Sequence, residues 1–304
     1  MDEKDIIKRL ITNEALFENI HVIQQQFDII PQSNKHIGAF IEYQDIQDRT
    51  DEFLDELTDS IVDWVYSSSK YKDLLKQYQG RGKTEGAASS AVLRKAKAKF
   101  RKSDEQNQVL VQGQFGELLL FHFIQRFMHA VPLLRKMSIT TSPHLERNGA
   151  DAIHYKVENG KNIIILGEAK TYISSYSFNK AFETGLKSIL ETYKNHRNEL
   201  SLYVHEDFLD DEMNQIAELY LSNKLDSCEI HLVCIIAFQE TKSIDITNQT
   251  DIQKQIKEII EERYRSFDNN KIDINNYPIL RRITYIVFPI WELDSLVKKF
   301  QERL

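Results

Sequence analysis

A chain of 304 residues can bury one large core or two modest ones. Its 41% apolar and 28% charged content is ordinary for a soluble globular protein, and no run approaches the roughly 20 apolar residues of a membrane span. A net charge of −7 argues against bulk attraction to nucleic acid, so any such contact has to come from a local basic cluster, from metal ions or from a partner. The two cysteines, Cys228 and Cys234, lack CxxC spacing and support neither a disulfide framework nor a zinc site. The first residues, MDEKDIIKRL, carry acids and no apolar stretch, so no secretory signal is expected and a cytoplasmic location follows.

In chain order, Ile6, Ile7, Leu10 and Ile11 suggest a short amphipathic helix, and HIGAFIEY at 36–43 reads as a strand. Thr50 opens a helix over 50–66, with Phe53, Leu54, Leu57, Ile61, Val65 and Tyr66 at helical spacing. The Gly-Arg-Gly-Lys run at 80–83 lacks phosphate-loop spacing and a preceding strand, so it reads as a flexible loop. Residues 87–102 form a basic helix containing Arg94, Lys95 and Lys99, the densest basic cluster in an acidic chain. Its two readings are a phosphate-contacting patch and a solvated face. Residues 1–110 are therefore expected to be a mainly helical N-terminal extension, with 111–304 as the principal domain.

From residue 114, QFGELLLFHFIQRFM reads as a helix apolar nearly all round, hence buried, with Glu117 in its first turns. A buried acid needs a partner, a hydrogen bond or a metal; the alternative is a Glu favoured by the helix dipole. His122 and His129 share a face of this helix and fit packing or surface roles better than ligation. LRKMSITT at 134–141 looks like a first strand. Two apolar-rich runs, 152–157 and 162–166, then flank Asn159-Gly160, a strong hairpin signal. If these two residues form a primed turn, Glu158 faces Lys161 and opposed residues have numbers that sum to 319. Asp151 then faces Glu168, and Lys170 shares their side of the strand with Ile153, Tyr155, Ile164 and Leu166. Helices follow at 178–196 and 207–223, a buried strand at 229–238, a polar helix at 251–267, a strand at 283–290 and a closing helix from 291. The order indicates an α/β or α+β fold, a mixed sheet flanked by helices.

Two carboxylates and an ammonium at one hairpin end suit metal-assisted phosphodiester cleavage. Oxygen ligands hold Mg²⁺, and a cation offsets charge developing at phosphorus. Asp151 and Glu168 can be the ligands, Lys170 can position water and neutralise charge, and Glu117 can add an outer carboxylate. The competing reading is a surface hairpin whose cross-strand ion pair contributes at most about 1 kcal/mol. The four apolar residues before Gly167-Glu168 argue instead for partial burial.

The helix with Glu117, Asp151 at the head of the second strand and Glu168-Ala169-Lys170 closing the third resemble the PD-(D/E)xK nuclease superfamily, whose core is restriction-endonuclease-like. Ala150 stands where the motif's proline would be. Across most of the chain, FGELLLFHFI, GADAIHY and ILGEAKTY resemble the HamA family, nuclease-like subunits of Hachiman anti-phage systems. The resemblance implies a Mg²⁺- or Mn²⁺-dependent deoxyribonuclease effector, acting on DNA and restrained by a superfamily 2 helicase of the HamB type. Glu117, Asp151, Glu168 and Lys170 would be its site and the first three its metal ligands. No phosphate-binding loop is evident in the chain, which agrees with ATP use residing in the partner. The runner-up is a noncatalytic nuclease-fold module that binds a helicase or DNA.

Overall fold

Alternating apolar strands and amphipathic helices resolve into one mixed sheet between two helical layers. The structure, a computed structural model, describes residues 3–100, 108–134, 149–174, 178–203 and 211–304. The chain begins with α1 (Glu3–Ile7), α2 (Glu14–Glu18), β1 (Ile20–Gln25) and β2 (His36–Ile41), then a minor ribbon, β3 (Tyr43–Gln44) and β4 (Gln47–Asp48). Four helices follow: α3 (Thr50–Asp59), α4 (Ile61–Val65), α5 (Ser68–Gln79) and α6 (Glu85–Lys97). The long α7 (Gln108–Met128) leads into β5 (Val131–Leu134), β6 (Ala152–Glu158) and β7 (Lys161–Tyr172). Next come α8 (Phe178–Tyr203), α9 (Asp211–Leu221), β8 (Cys228–Gln239), α10 (Gln249–Ser266), β9 (Ile283–Ile290) and α11 (Leu293–Arg303).

Among the described residues the main sheet runs β1-β2-β9-β8-β7-β6-β5. The strands β7, β8 and β9 are mutually parallel, β2 joins β9 in parallel, and the flanking pairs are antiparallel. The crossovers from β7 to β8 and from β8 to β9 step the same way across the sheet. A common right-handed sense therefore puts α8, α9 and α10 on one face. Their apolar residues, Phe182, Ile189, Ile216 and Ile256 among them, share a core with Ile164, Leu166 and Ile236. On the other face α7 packs with α3, α4, α6 and α11 over Ile163, Ile165, Ala169 and Ile235. Successive residues of β7 thus enter different cores, which is why its run reads as continuously apolar.

The N-terminal hundred residues are mainly helical, as expected, but they also supply β1 and β2 to the same sheet. Their helices enter the core that holds Phe115 and Phe288. The strand expected within 36–43 is β2. Its His36 is buried, accepts from the Tyr285 amide at Nδ1 (3.2 Å) and donates from Nε2 to the Pro31 carbonyl (3.3 Å). Burial pushes this imidazole down to about 4, so it remains neutral. The helix expected over 50–66 breaks at Ser60, whose hydroxyl donates to the Leu57 carbonyl and accepts from His122 Nε2, each at 2.7 Å. His122 is therefore a packing residue of α7. The strand expected at 134–141 lies almost wholly outside the described residues; the observed β5 ends at Leu134.

The hairpin register is the one the turn dictates. Every pair in the β6–β7 ladder, from Glu158↔Lys161 to Ala152↔Gly167, obeys the sum of 319. Asn159 and Gly160 both have positive φ, 51° and 74°, as a type I′ turn demands. A Cβ at Gly160 meets open space, so only backbone conformation opposes a side chain there. Gly160→Ala should therefore lower unfolding free energy by about 1–2 kcal/mol in a urea titration. An unchanged midpoint and slope would contradict the turn assignment.

Candidate active site

The site forms where the hairpin ladder ends against α8. Past Ala152↔Gly167, the Asp151 amide donates to the Gly167 carbonyl at 3.1 Å. The Asp151 carboxylate then takes over the ladder's role: its Oδ2 accepts from the Ala169 amide at 2.9 Å. This fixes Asp151 across the strand end from Glu168. Upstream, Glu199 of α8 accepts from the Ala150 amide at 2.7 Å and fills the space a side chain at Gly149 would need. The approach to Asp151 is thereby tied to the helix that covers the site.

Glu168 is only 3% exposed. Its Oε1 accepts from Lys170 Nζ at 2.7 Å and from Ser188 Oγ at 2.6 Å, and its Oε2 accepts from Thr192 Oγ1 at 3.3 Å. Burial, with Asp151 adding repulsion, pushes the Glu168 carboxyl up to about 7. Burial pulls Lys170 down, but the Glu168 carboxylate outweighs it and the ammonium is held above its ordinary value. The competing surface ion pair does not describe this arrangement, because one partner is almost fully enclosed.

Helix α8 reaches the site because Gly185 lets it. A Cβ there would lie 2.8 Å from Cys234 Sγ and 3.6 Å from Lys170 Cγ. Cys234 pairs in register with Glu168 on the adjoining strand and is buried. Gly185, Ser188 and Thr192 form a stripe of small residues beside the apolar stripe of Phe182, Leu186 and Ile189. Sequence reasoning missed them. Their signal was a small-polar stripe at helical spacing, and only its adjacency to Glu168 gives it meaning.

Asp151, Glu168 and Lys170 are thus brought together, and Glu117 is not joined to them in one cluster. Among the described residues no three His, Cys, Asp or Glu side chains come close enough to hold a metal ion together. Glu117 is half-buried on α7, in the layer against the opposite face of the sheet. Its neighbour Gly116 abuts Ala169 and Thr171, so α7 approaches the same strand end from the other side. Of the basic residues, Arg94 and Lys95 are exposed on α6. Lys99 is half-buried, with its ammonium 5.7 Å from the centre of the Tyr66 ring.

Two hard carboxylate donors fit Mg²⁺ or Mn²⁺, and both prefer oxygen ligands with several waters retained. The elevated Glu168 points the same way: two carboxylates and one lysine leave an excess negative charge in a buried place that a bound cation would offset.

A family model described as HamA matches residues 14–304 of the chain. No curated protein matches it.

The stability consequence has a definite sign. Because the folded-state pKa of Glu168 lies above the unfolded value, the native state holds the extra proton between about pH 4.5 and 7. The group's contribution is complete below that window and is lost as pH rises through it. Without divalent metal, Glu168→Gln should melt higher than wild type at pH 8, by about 1–2 kcal/mol or roughly 2–6 °C. The gap should close toward pH 4.5; a lower melting temperature for the variant at pH 8 would contradict the burial argument.

Proposed function

This chain belongs to the HamA family, a component of Hachiman defence, and from that premise we propose that it is a metal-dependent nuclease that hydrolyses DNA phosphodiesters. The carrying observation is the buried Glu168 carboxylate set across a strand end from Asp151 and clasped by Lys170, Ser188 and Thr192. Asp151 and Glu168 would hold Mg²⁺ or Mn²⁺ through their carboxylate oxygens. When bound, such an ion polarises the scissile phosphate and offsets charge developing on it.

The chain's own residues do the rest. Ser188 and Thr192 fix the orientation of Glu168, so its oxygens need little reorganisation to serve as ligands. Lys170 Nζ stays protonated at neutral pH beside Glu168, so it acts as a fixed cation and hydrogen-bond donor toward the phosphate or attacking water rather than as a base. Glu117, on the helix that meets Ala169 and Thr171 from the other face, serves as an outer carboxylate at the strand end. A superfamily 2 helicase of the HamB type is the proposed partner that restrains the nuclease and delivers its DNA.

Plasmid and linear DNA incubated with the purified chain, alone and with its helicase partner, in Mg²⁺ or EDTA, test this reading. Cleavage should require Mg²⁺, and Glu168→Ala and Lys170→Ala should each slow it by about 10²–10³-fold. Glu117→Gln should have the smaller effect. If the two site variants cut at the wild-type rate, the site is wrongly assigned. If the activated complex cuts no nucleic acid at all, the chain is a binding module on a nuclease fold.

A further inference from the structure

Charge is unevenly placed along this acidic chain. Residues 68–99 carry nine lysines and arginines against two acids, a net +7 within a total of −7. They fold as the helical hairpin α5–α6, closed by the buried residues Leu74, Ala88, Val92 and Ala96 and by the Tyr71–Ser89 hydroxyl contact at 3.2 Å. Lys72 and Lys76 on α5, Arg81 and Lys83 in the turn, and Arg94 and Lys95 on α6 are all exposed. Among the described residues none of these six forms an ion pair. Several exposed cations elsewhere are matched, as in Lys161–Glu229 at 2.7 Å, Lys187–Glu183 at 2.9 Å and Lys298–Asp294 at 2.6 Å. Like charges gathered on one hairpin repel one another and give the fold nothing in return, so a polyanion is the natural complement.

The hairpin packs on the face of the sheet opposite Glu168 and is joined to the same strand end through aromatic contacts. Just beyond α6, Phe100 packs on Phe300 with centroids 5.9 Å apart, and Phe300 packs on Phe115 at 5.5 Å. The next residue, Gly116, abuts Thr171, immediately after Lys170. The remainder of the chain is strongly acidic and would repel a phosphate backbone, so DNA approaching the site meets least resistance along this hairpin.

We propose that the α5–α6 hairpin is a clamp for the DNA phosphodiester backbone, holding the duplex that the site cuts. Contacts to phosphate position a duplex without reading its sequence, and a hairpin of flexible lysine side chains suits that role. Lys97 and Lys99 stand apart from it, since Lys97 Nζ donates to the Arg303 carbonyl at 2.6 Å and Lys99 lies over Tyr66. The assignment rests on the nuclease reading for its purpose, and its test separates the two.

The test measures binding of the full chain to a fluorescent 20-base-pair duplex by anisotropy in EDTA, between 50 and 200 mM salt. The triple substitution Lys72→Gln, Lys76→Gln and Arg81→Gln should weaken binding about tenfold or more. It should also reduce the slope of log affinity against log salt by about 2–3, near 0.9 for each phosphate no longer neutralised. A control triple, Lys161→Gln, Lys257→Gln and Lys298→Gln, removes the same charge elsewhere and should move neither quantity; circular dichroism and melting should match wild type for both sets. Unchanged affinity and slope in the hairpin variant, or equal losses in the control, would overturn the clamp. Unchanged DNA binding with loss of a protein partner would assign the hairpin to an acidic protein surface instead. Duplex binding by wild type without cleavage in any complex would sink the nuclease reading and leave the clamp standing. Absence of DNA binding by wild type would sink the clamp.

Discussion

The free-energy cost of keeping Glu168 ionised between a sheet and a helix governs the strand end on which it sits. A carboxylate left only 3% exposed, with Asp151 across the strand end, is held by one ammonium and two hydroxyls. That set orients the group but does not fully offset its charge, and its proton affinity rises accordingly. A core built for stability alone would favour an apolar side chain at this position, with Ile164 and Leu166 preceding it on the same face. The surrounding features follow from the same requirement. Gly185 admits α8 close enough for Ser188 and Thr192 to reach the carboxylate, the Ala169 amide pins Asp151, and Lys170 is held charged.

Much of the hairpin was legible because its determinants are local. Asn159-Gly160 specifies a primed turn, that turn sets the register, and the strand's two-residue period assigns Glu168 and Lys170 to one side. The α7 helix, β8 and β9 were legible for similar reasons, since continuous apolar runs of their lengths have few other homes. What was not legible depends on residues far apart in sequence. β2 finds its partner in β9, so nothing within residues 20–41 announces that they join the main sheet rather than a helical extension. Ser188 and Thr192 look like ordinary helix-surface residues until α8 is docked on β7. Glu117 was read as an acid in a buried apolar helix; that α7 packs on the opposite face from Glu168 is a matter of layer that linear order does not carry.

Family membership and physics meet in how the chain divides its charge. The HamA match spans residues 14–304, so it includes the α5–α6 hairpin and the β1–β2 pair as well as the nuclease-like core. An acidic body carries a basic hairpin, and Phe100, just beyond that hairpin, packs through Phe300 on Phe115 of α7. Among the described residues no helix is long and apolar enough to cross a membrane.

The central claim is that Asp151 and Glu168 form one divalent-cation site, and calorimetric titration of Mn²⁺ into the metal-free chain tests it most directly. Binding should be saturable in wild type and weakened tenfold or more by either Asp151→Asn or Glu168→Gln, with both variants folded by circular dichroism. Equal Mn²⁺ affinity in wild type and the two variants would contradict the account.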